Sequence, residues 1–309
     1  MIEALAVSRQ FGDNVVVSGL DLSIDTGEVH ALLGPNGAGK TTVLRMLAGL
    51  TAPSSGSVKV LGADPFDRSV RSQIGWIPSG DRSFYLRLSG KENLIFFARL
   101  YGMPLRAARA RAAEVLEFVD LVEAADQPAR IYSHGMQKRL GVARGLLREP
   151  RVLIVDEATH DLDPVGAQTV RDLAAAAAKQ GTAVVWATQR LDEIRSFAHT
   201  VTVLGRGDVR FSGPVEELSR RALTRTYEVK LTDGSFSLDG LGQALAGLGE
   251  VSAHPFHDDR FLMHMKSGVA LSDAFDGLGR MGHRVMSCSE ARSDVEEAFL
   301  YLTSGSGHD

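Results

Sequence analysis

The run Gly34–Thr42, GPNGAGKTT, fits the phosphate-binding pattern G-x-x-x-x-G-K-[ST] without a gap. Gly34, Gly37 and Gly39 permit a tight turn whose backbone N–H groups point inward, the nest in which phosphate oxygens sit. Asn36, Ala38 and Thr42 belong to the same cradle, and the helix expected to start at Lys40 adds its positive end. Lys40 is placed to reach the β- and γ-phosphates of a bound nucleotide, and the Thr41 hydroxyl can ligate a magnesium ion that bridges them. A second run, RVLIVDE at 151–157, is a continuous apolar strand ending in two carboxylates, Asp156 and Glu157, as a buried parallel strand delivering charge to its C-terminal edge should look.

Residues 1–29 alternate as two short strands around Gly12, Asp13 and Asn14, which predicts an antiparallel hairpin. Phe11 precedes that glycine; its ring suits either a core or the face of an adenine. HALLG at 30–34 is the buried strand expected before a phosphate loop. A helix is expected from Lys40 to about Leu50, then the strand SVKVLG, then IGWIP closed by Pro78. Ser89 and Glu92 form a capping box that opens a helical region running through LIFFARLYGM and, after Pro104, over 105–125. Ser133 is expected to cap the next, amphipathic helix. Asp163–Pro164 opens another, with proline at its first position; strand AVVWAT, a helix over 191–197 and strands TVTVLG and VRFSG follow. From about Arg221 the pattern becomes that of a small α+β domain: strand TYEVKL, a turn at Asp233–Gly234, helix 241–248, strand RFLMHMK, helix 271–279, strand HRVMS and helix 293–302. Its histidines His254, His257 and His264 lack metal-ligand spacing and read as surface or strand residues, and the tail GSGHD as frayed.

With 309 residues, 44% of them hydrophobic and 23% charged, the chain is expected to fold as two globular domains, 1–220 with a helical insertion at about 87–147, and 221–309. A net charge of −4 offers no bulk attraction for nucleic acid, which is not expected as a partner. The single cysteine, Cys288, and the lack of a signal-peptide order at the N-terminus favour a reducing cytosol. No apolar run approaches the ~18 residues of a membrane span, so any membrane crossing falls to another polypeptide.

In order and spacing these motifs resemble those of ABC transporter nucleotide-binding subunits, a resemblance that covers residues 2 to about 219. It implies an α/β fold: a P-loop NTPase core with an antiparallel β subdomain and a helical insertion. It also implies that Asp156 holds Mg2+, through water, and that Glu157 polarises the attacking water. YSHGM, at 132–136, resembles the family's signature in the YSxGM form seen in drug and polysaccharide exporters; by that likeness Ser133 and Gly135 bind the γ-phosphate held by a second copy or partner. Phe11 falls at the adenine-stacking aromatic, and HDLDP resembles the dimer-contact loop with Asp163 retained. The closing SDVEEAFLYLT is similar to the end of subunits that pair with a separate six-helix permease, favouring export.

The sequence departs from the family pattern at named places. Ser79 stands where a glutamine usually approaches both metal and attacking water, and Gln73 lies on the wrong side of the strand to replace it. Gln189 stands where a switch histidine is usual; it can donate a hydrogen bond to a γ-phosphate but cannot act as an imidazole acid or base. Ala158, His160 and Asp161 are also unusual, and His160 and His134 read as solvated loop residues. The resulting expectation is an ATPase, its catalytic set Glu157, Gln189 and Lys40, that dimerises as a homodimer or heterodimer around Mg-ATP at the cytoplasmic face of the membrane. It drives an export permease through the loop from Ser79 to Arg87, where Phe84 and Tyr85 present an apolar patch or cover the insertion. The alternative is an ATP-gated clamp with little hydrolysis. A soluble relative acting on DNA or ribosomes would carry a coiled-coil insertion or a second nucleotide domain, and neither is present.

Overall fold

The computed structural model describes residues 1–79, 84–160, 162–194, 197–220, 224–232, 236–254, 257, 259–266 and 268–290. The chain forms two compact units, Met1–Gly213 and Pro214–Asp309.

The first unit runs β1 (Ile2–Phe11), β2 (Asn14–Ile24), β3 (Val29–Leu33), α1 (Lys40–Leu47), β4 (Ser55–Val60), α2 (Arg68–Arg71), β5 (Ile74–Ile77), α3 (Gly90–Leu100), α4 (Leu105–Phe118), α5 (His134–Leu146), β6 (Val152–Asp156), α6 (Pro164–Lys179), β7 (Ala183–Thr188), β8 (Thr200–Gly205) and β9 (Asp208–Pro214). Among the described residues nine strands form one sheet, ordered β4-β1-β2-β9-β8-β3-β7-β6-β5. β1 pairs antiparallel with both β2 and β4, whereas β8, β3, β7, β6 and β5 are mutually parallel. Among the described residues the antiparallel arm joins the rest by the residue pair Ser18–Asp208 alone.

The parallel strands are covered on both faces. Along β6, Val152 and Ile154 enter the cluster built on α1 and the antiparallel arm, while Leu153 and Val155 enter the one built on α4 and α5. That two-sided burial is why the stretch reads as unbroken apolar sequence. On α1, Val43, Leu44, Met46 and Leu47 are buried, each contributing about 1.5–3 kcal/mol through apolar area removed from water.

The second unit runs α7 (Val215–Arg220), β10 (Thr224–Leu231), α8 (Leu238–Ala244), β11 (Gly249–Ala253), β12 (Arg260–Lys266), α9 (Leu271–Arg280) and β13 (Val285–Glu290). Its four described strands pair antiparallel in the order β11-β12-β10-β13. From β10 onward this is the β-α-β-β-α-β succession of the ferredoxin-like split βαβ arrangement. Phe261, Met263 and Met265 of β12 pack with Leu241 of α8, with Leu245 just past its end and with Leu278 of α9.

Several expected boundaries shift. The first helix ends at Leu47, ahead of Leu50. The helix expected over 105–125 stops at Phe118, because Arg139 takes the carbonyls of Val119 and Asp120 at 3.2 and 2.8 Å and Asp120 turns left-handed at φ 54°. Over 191–197 the described residues hold one 3-10 turn, Leu191–Glu193, whose last side chain turns into the core. α8 starts at Leu238 because Ser237 caps it, accepting from Gly240 N–H, and β11 is an additional strand. His264 bridges the hydroxyls of Thr226 and Ser252 at 2.9 Å each, and the rings of His254 and His257 lie 4.8 Å apart. Asp161, the turn at Asp233–Gly234, the helix over 293–302 and the tail lie outside the described residues.

Candidate functional site

The C-terminal ends of β3 and β6 and the N-terminus of α1 bring the chemistry-bearing residues to one cavity of about 240 Å³, lined by Val16, Asn36, Gly37, Gly39, Lys40, Thr41, Thr42, Ser79, Asp156 and Glu157. Gly39 holds φ 100°, and a Cβ there would lie 2.6 Å from the Val16 carbonyl, so the phosphate loop touches β2 backbone to backbone. Val16 is the lining residue that sequence reading missed, since nothing in an apolar strand residue signals proximity to a loop 18 or more positions away.

Lys40 is buried and donates to the carbonyls of Gly34 at 2.7 Å and Pro35 at 3.1 Å, and its ammonium stands 3.1 Å from Glu157 Oε1. The Thr41 hydroxyl donates to Asp156 at 3.1 and 3.3 Å. Burial raises the Asp156 carboxyl above its ordinary pKa, against the opposing effect of the Thr41 hydrogen bond. A desolvated carboxylate beside a hydroxyl is a set of hard oxygen donors suited to Mg2+. Glu157 itself has φ 48°, a left-handed conformation costing about 1–3 kcal/mol for a residue with a side chain, and strain of this kind gathers at functional positions. Its N–H donates to the Ala187 carbonyl at 3.0 Å, while Gly34 N–H donates to the Thr188 carbonyl at 3.3 Å. The loops after β3, β6 and β7 are thereby stitched together.

Other expected residues lie elsewhere. Gly34 and Ala38 support the loop without lining the cavity, and Gln189 does not line it either. Ser79 does, with its carbonyl 3.4 Å from the Lys138 ammonium. Phe11 is 49% exposed, with the Arg9 guanidinium 4.3 Å over its ring. Ser133 caps α5, accepting from Met136 N–H at 3.2 Å, and Asp163 caps α6, accepting from Gly166 N–H at 2.7 Å. Ser133, Gly135 and Asp163 line a separate concavity of about 440 Å³. A larger cavity, about 640 Å³, contains residues preceding β6 and β7, such as Arg151 and Thr182, and none of the expected site residues.

Sequence reasoning also passed over Glu193. Fully buried, it accepts from the hydroxyls of Thr159 at 2.6 Å and Thr188 at 2.8 Å.

The ABC transporter family model matches residues 17–160, which hold the phosphate loop, the signature stretch and both carboxylates. The daunorubicin resistance ATP-binding protein DrrA3 of Streptomyces coeruleorubidus is 36% identical over 96% of this chain and 93% of its own length. The daunorubicin/doxorubicin resistance ATP-binding protein DrrA of Streptomyces peucetius is 34% identical over 98% and 92%. Among solved structures, cbiO1 from Clostridium perfringens, part of the ABC transporter complex cbiONQ, aligns with TM-score 0.64 and 26% identity over 71% of this chain and 94% of that one. Phosphate cradle, carboxylate pair, sheet and near full-length kinship agree, and the chain belongs to the ABC transporter family as an ATP-binding subunit, an ATPase coupled to transport.

Proposed function

We propose that the chain is the energising subunit of a drug-efflux exporter, in which two ATP-binding subunits close around Mg-ATP and act on a separate permease at the cytoplasmic face of the membrane. The observation that carries the reading is the cavity in which Lys40, Thr41, Asp156 and Glu157 converge. Kinship with the resistance proteins, extending through the second unit, supports a drug-like cargo.

In this reading the triphosphate takes the Gly34–Thr42 nest and draws the Lys40 ammonium off the Gly34 and Pro35 carbonyls and off Glu157. Glu157, released, orients and polarises the attacking water. Thr41 and Asp156 hold Mg2+, which supplies charge neutralisation on the phosphates. Phe11 stacks on adenine, and Ser133, Gly135 and Asp163 present their concavity to the γ-phosphate side of a second copy or partner subunit. Phe84 packs on the helical insertion, whereas Tyr85 and Leu86 remain 53% and 49% exposed and offer the apolar contact to the permease. No helix among the described residues is long and apolar enough to cross a membrane.

A clamp that binds ATP but barely turns it over is favoured by two observations: Gln189 stays out of the cavity, and Ser79 replaces the longer glutamine. Loss of one positioning group costs on the order of 10²–10³ in rate. Mg-ATP turnover of the full chain, compared with Glu157→Gln and Gln189→His, separates the readings. A working motor shows turnover that Glu157→Gln abolishes; turnover no higher than Glu157→Gln, with tight ATP binding, leaves the clamp.

A further inference from the structure

We infer that Glu193 is a positioning residue for turnover, holding the loop after Glu157 in register with the loop that carries Gln189. The 3-10 turn Leu191–Glu193 sends this carboxylate inward until none of it is exposed. A charge so placed is costly unless donors surround it. Here they do. Oε1 accepts from the Thr159 hydroxyl at 2.6 Å and faces Arg171 Nη1 at 3.8 Å and Arg190 Nε at 3.5 Å. Oε2 accepts from the Thr188 hydroxyl at 2.8 Å and from Trp186 Nε1 at 3.4 Å.

The partners decide what the carboxylate does. Thr159 lies two residues beyond Glu157, on the loop leading to Asp163; Thr188 immediately precedes Gln189 and gives its carbonyl to Gly34 N–H of the phosphate loop. Arg171 belongs to α6, the helix that Asp163 caps. The Thr188 hydroxyl also accepts from Arg190 N–H at 3.0 Å, fixing the chain on both sides of Gln189. One side chain thus fastens three segments, and it touches no part of the cavity that takes phosphate. Its removal therefore acts on the rate and not on nucleotide affinity.

The inference rests on the reading of Glu157 and Gln189 given above, and the test tells the two apart. Mg-ATP turnover and binding of a fluorescent ATP analogue are measured on the full chain for Glu193→Gln, Thr159→Val, Gln189→Ala, Glu157→Gln and the combination of Glu193→Gln with Gln189→Ala. Glu193→Gln is expected to lower kcat about tenfold or more, with KM and analogue affinity within about twofold. In the Gln189→Ala background it lowers kcat by less than about twofold, because positioning of an absent amide cannot be lost again. Equal fold-losses in both backgrounds, or wild-type kcat, overturn the inference. Should Glu193→Gln not fold, Thr159→Val, which removes one donor and keeps the shape, carries the same comparisons. Wild-type turnover in Glu157→Gln or in Gln189→Ala instead overturns the catalytic reading beneath it.

Discussion

Burial without a charged partner decides the behaviour of His30. Its ring lies between the hydroxyls of Thr200, 2.7 Å from Nδ1, and Thr202, 3.1 Å from Nε2, and desolvation lowers its pKa from 6.5 to about 3. The unfolded chain takes up this proton first. Stability is therefore complete above pH 6.5 and falls by about 1.4 kcal/mol per unit as pH drops from 6.5 toward 3. Urea midpoints at pH 7.5 and 5.0 should show His30→Gln closing its stability gap to wild type by about 2 kcal/mol at the lower pH; parallel behaviour of the two proteins would rule this out. Lys40 and Glu157 differ in kind from His30, since their pairing at 3.1 Å joins two groups to which the proposed mechanism gives another task once a triphosphate arrives.

Among the elements, the phenol of Tyr132 helps to fasten the helical insertion to the signature stretch. Tyr132 is buried, donates its hydroxyl proton to the Ala124 carbonyl at 2.7 Å, and stands where a Cβ on Gly90 would come within 2.2 Å of its oxygen. Gly90→Ala should cost about 1–3 kcal/mol by overpacking, and less in a Tyr132→Phe background, as paired chemical denaturation curves would record. Equal costs in both backgrounds would mean that the Tyr132 hydroxyl is not what the added methyl meets. Much of this level was legible in the sequence. The Ser89–Glu92 capping box, the Ser133 cap and Pro164 at the first position of α6 all stand where local chemistry put them. What escaped depends on distant partners. The 119–125 stretch carries no breaker of its own and is ended by Arg139 from another helix. Glu193 carries no local sign of burial, and Thr159, which draws it inward, lies 34 positions upstream. β11, GEVSA, holds one β-branched residue and opens on a glycine, a weak strand signal, and is formed by pairing with β12. Phosphate loop and carboxylates were legible because each is a contiguous run; the separation of Gln189 from their cavity was not, because loop direction leaves no local pattern.

For the first unit as a whole, the sheet has a narrow waist. Among the described residues the antiparallel arm meets the parallel strands through one residue pair, Ser18–Asp208, whose bridge includes the bond from Ser18 N–H to the Gly207 carbonyl at 2.9 Å. Elsewhere the two halves are held by packing across α1, whose first residues also line the phosphate cavity together with Val16 of the arm. Hydrogen–deuterium exchange reads such a seam directly. Without nucleotide, amides of β1, β2 and β4 should exchange as one cooperative group, faster than those of β3, β6 and β7. Mg-ATP, seated against both halves, should slow the arm by the ratio that its occupancy sets, and uniform protection throughout would deny the seam. On the timescale of opening, then, a nucleotide bound as proposed would work as a rivet, and its departure would leave the arm on a looser clock than the strands beside it.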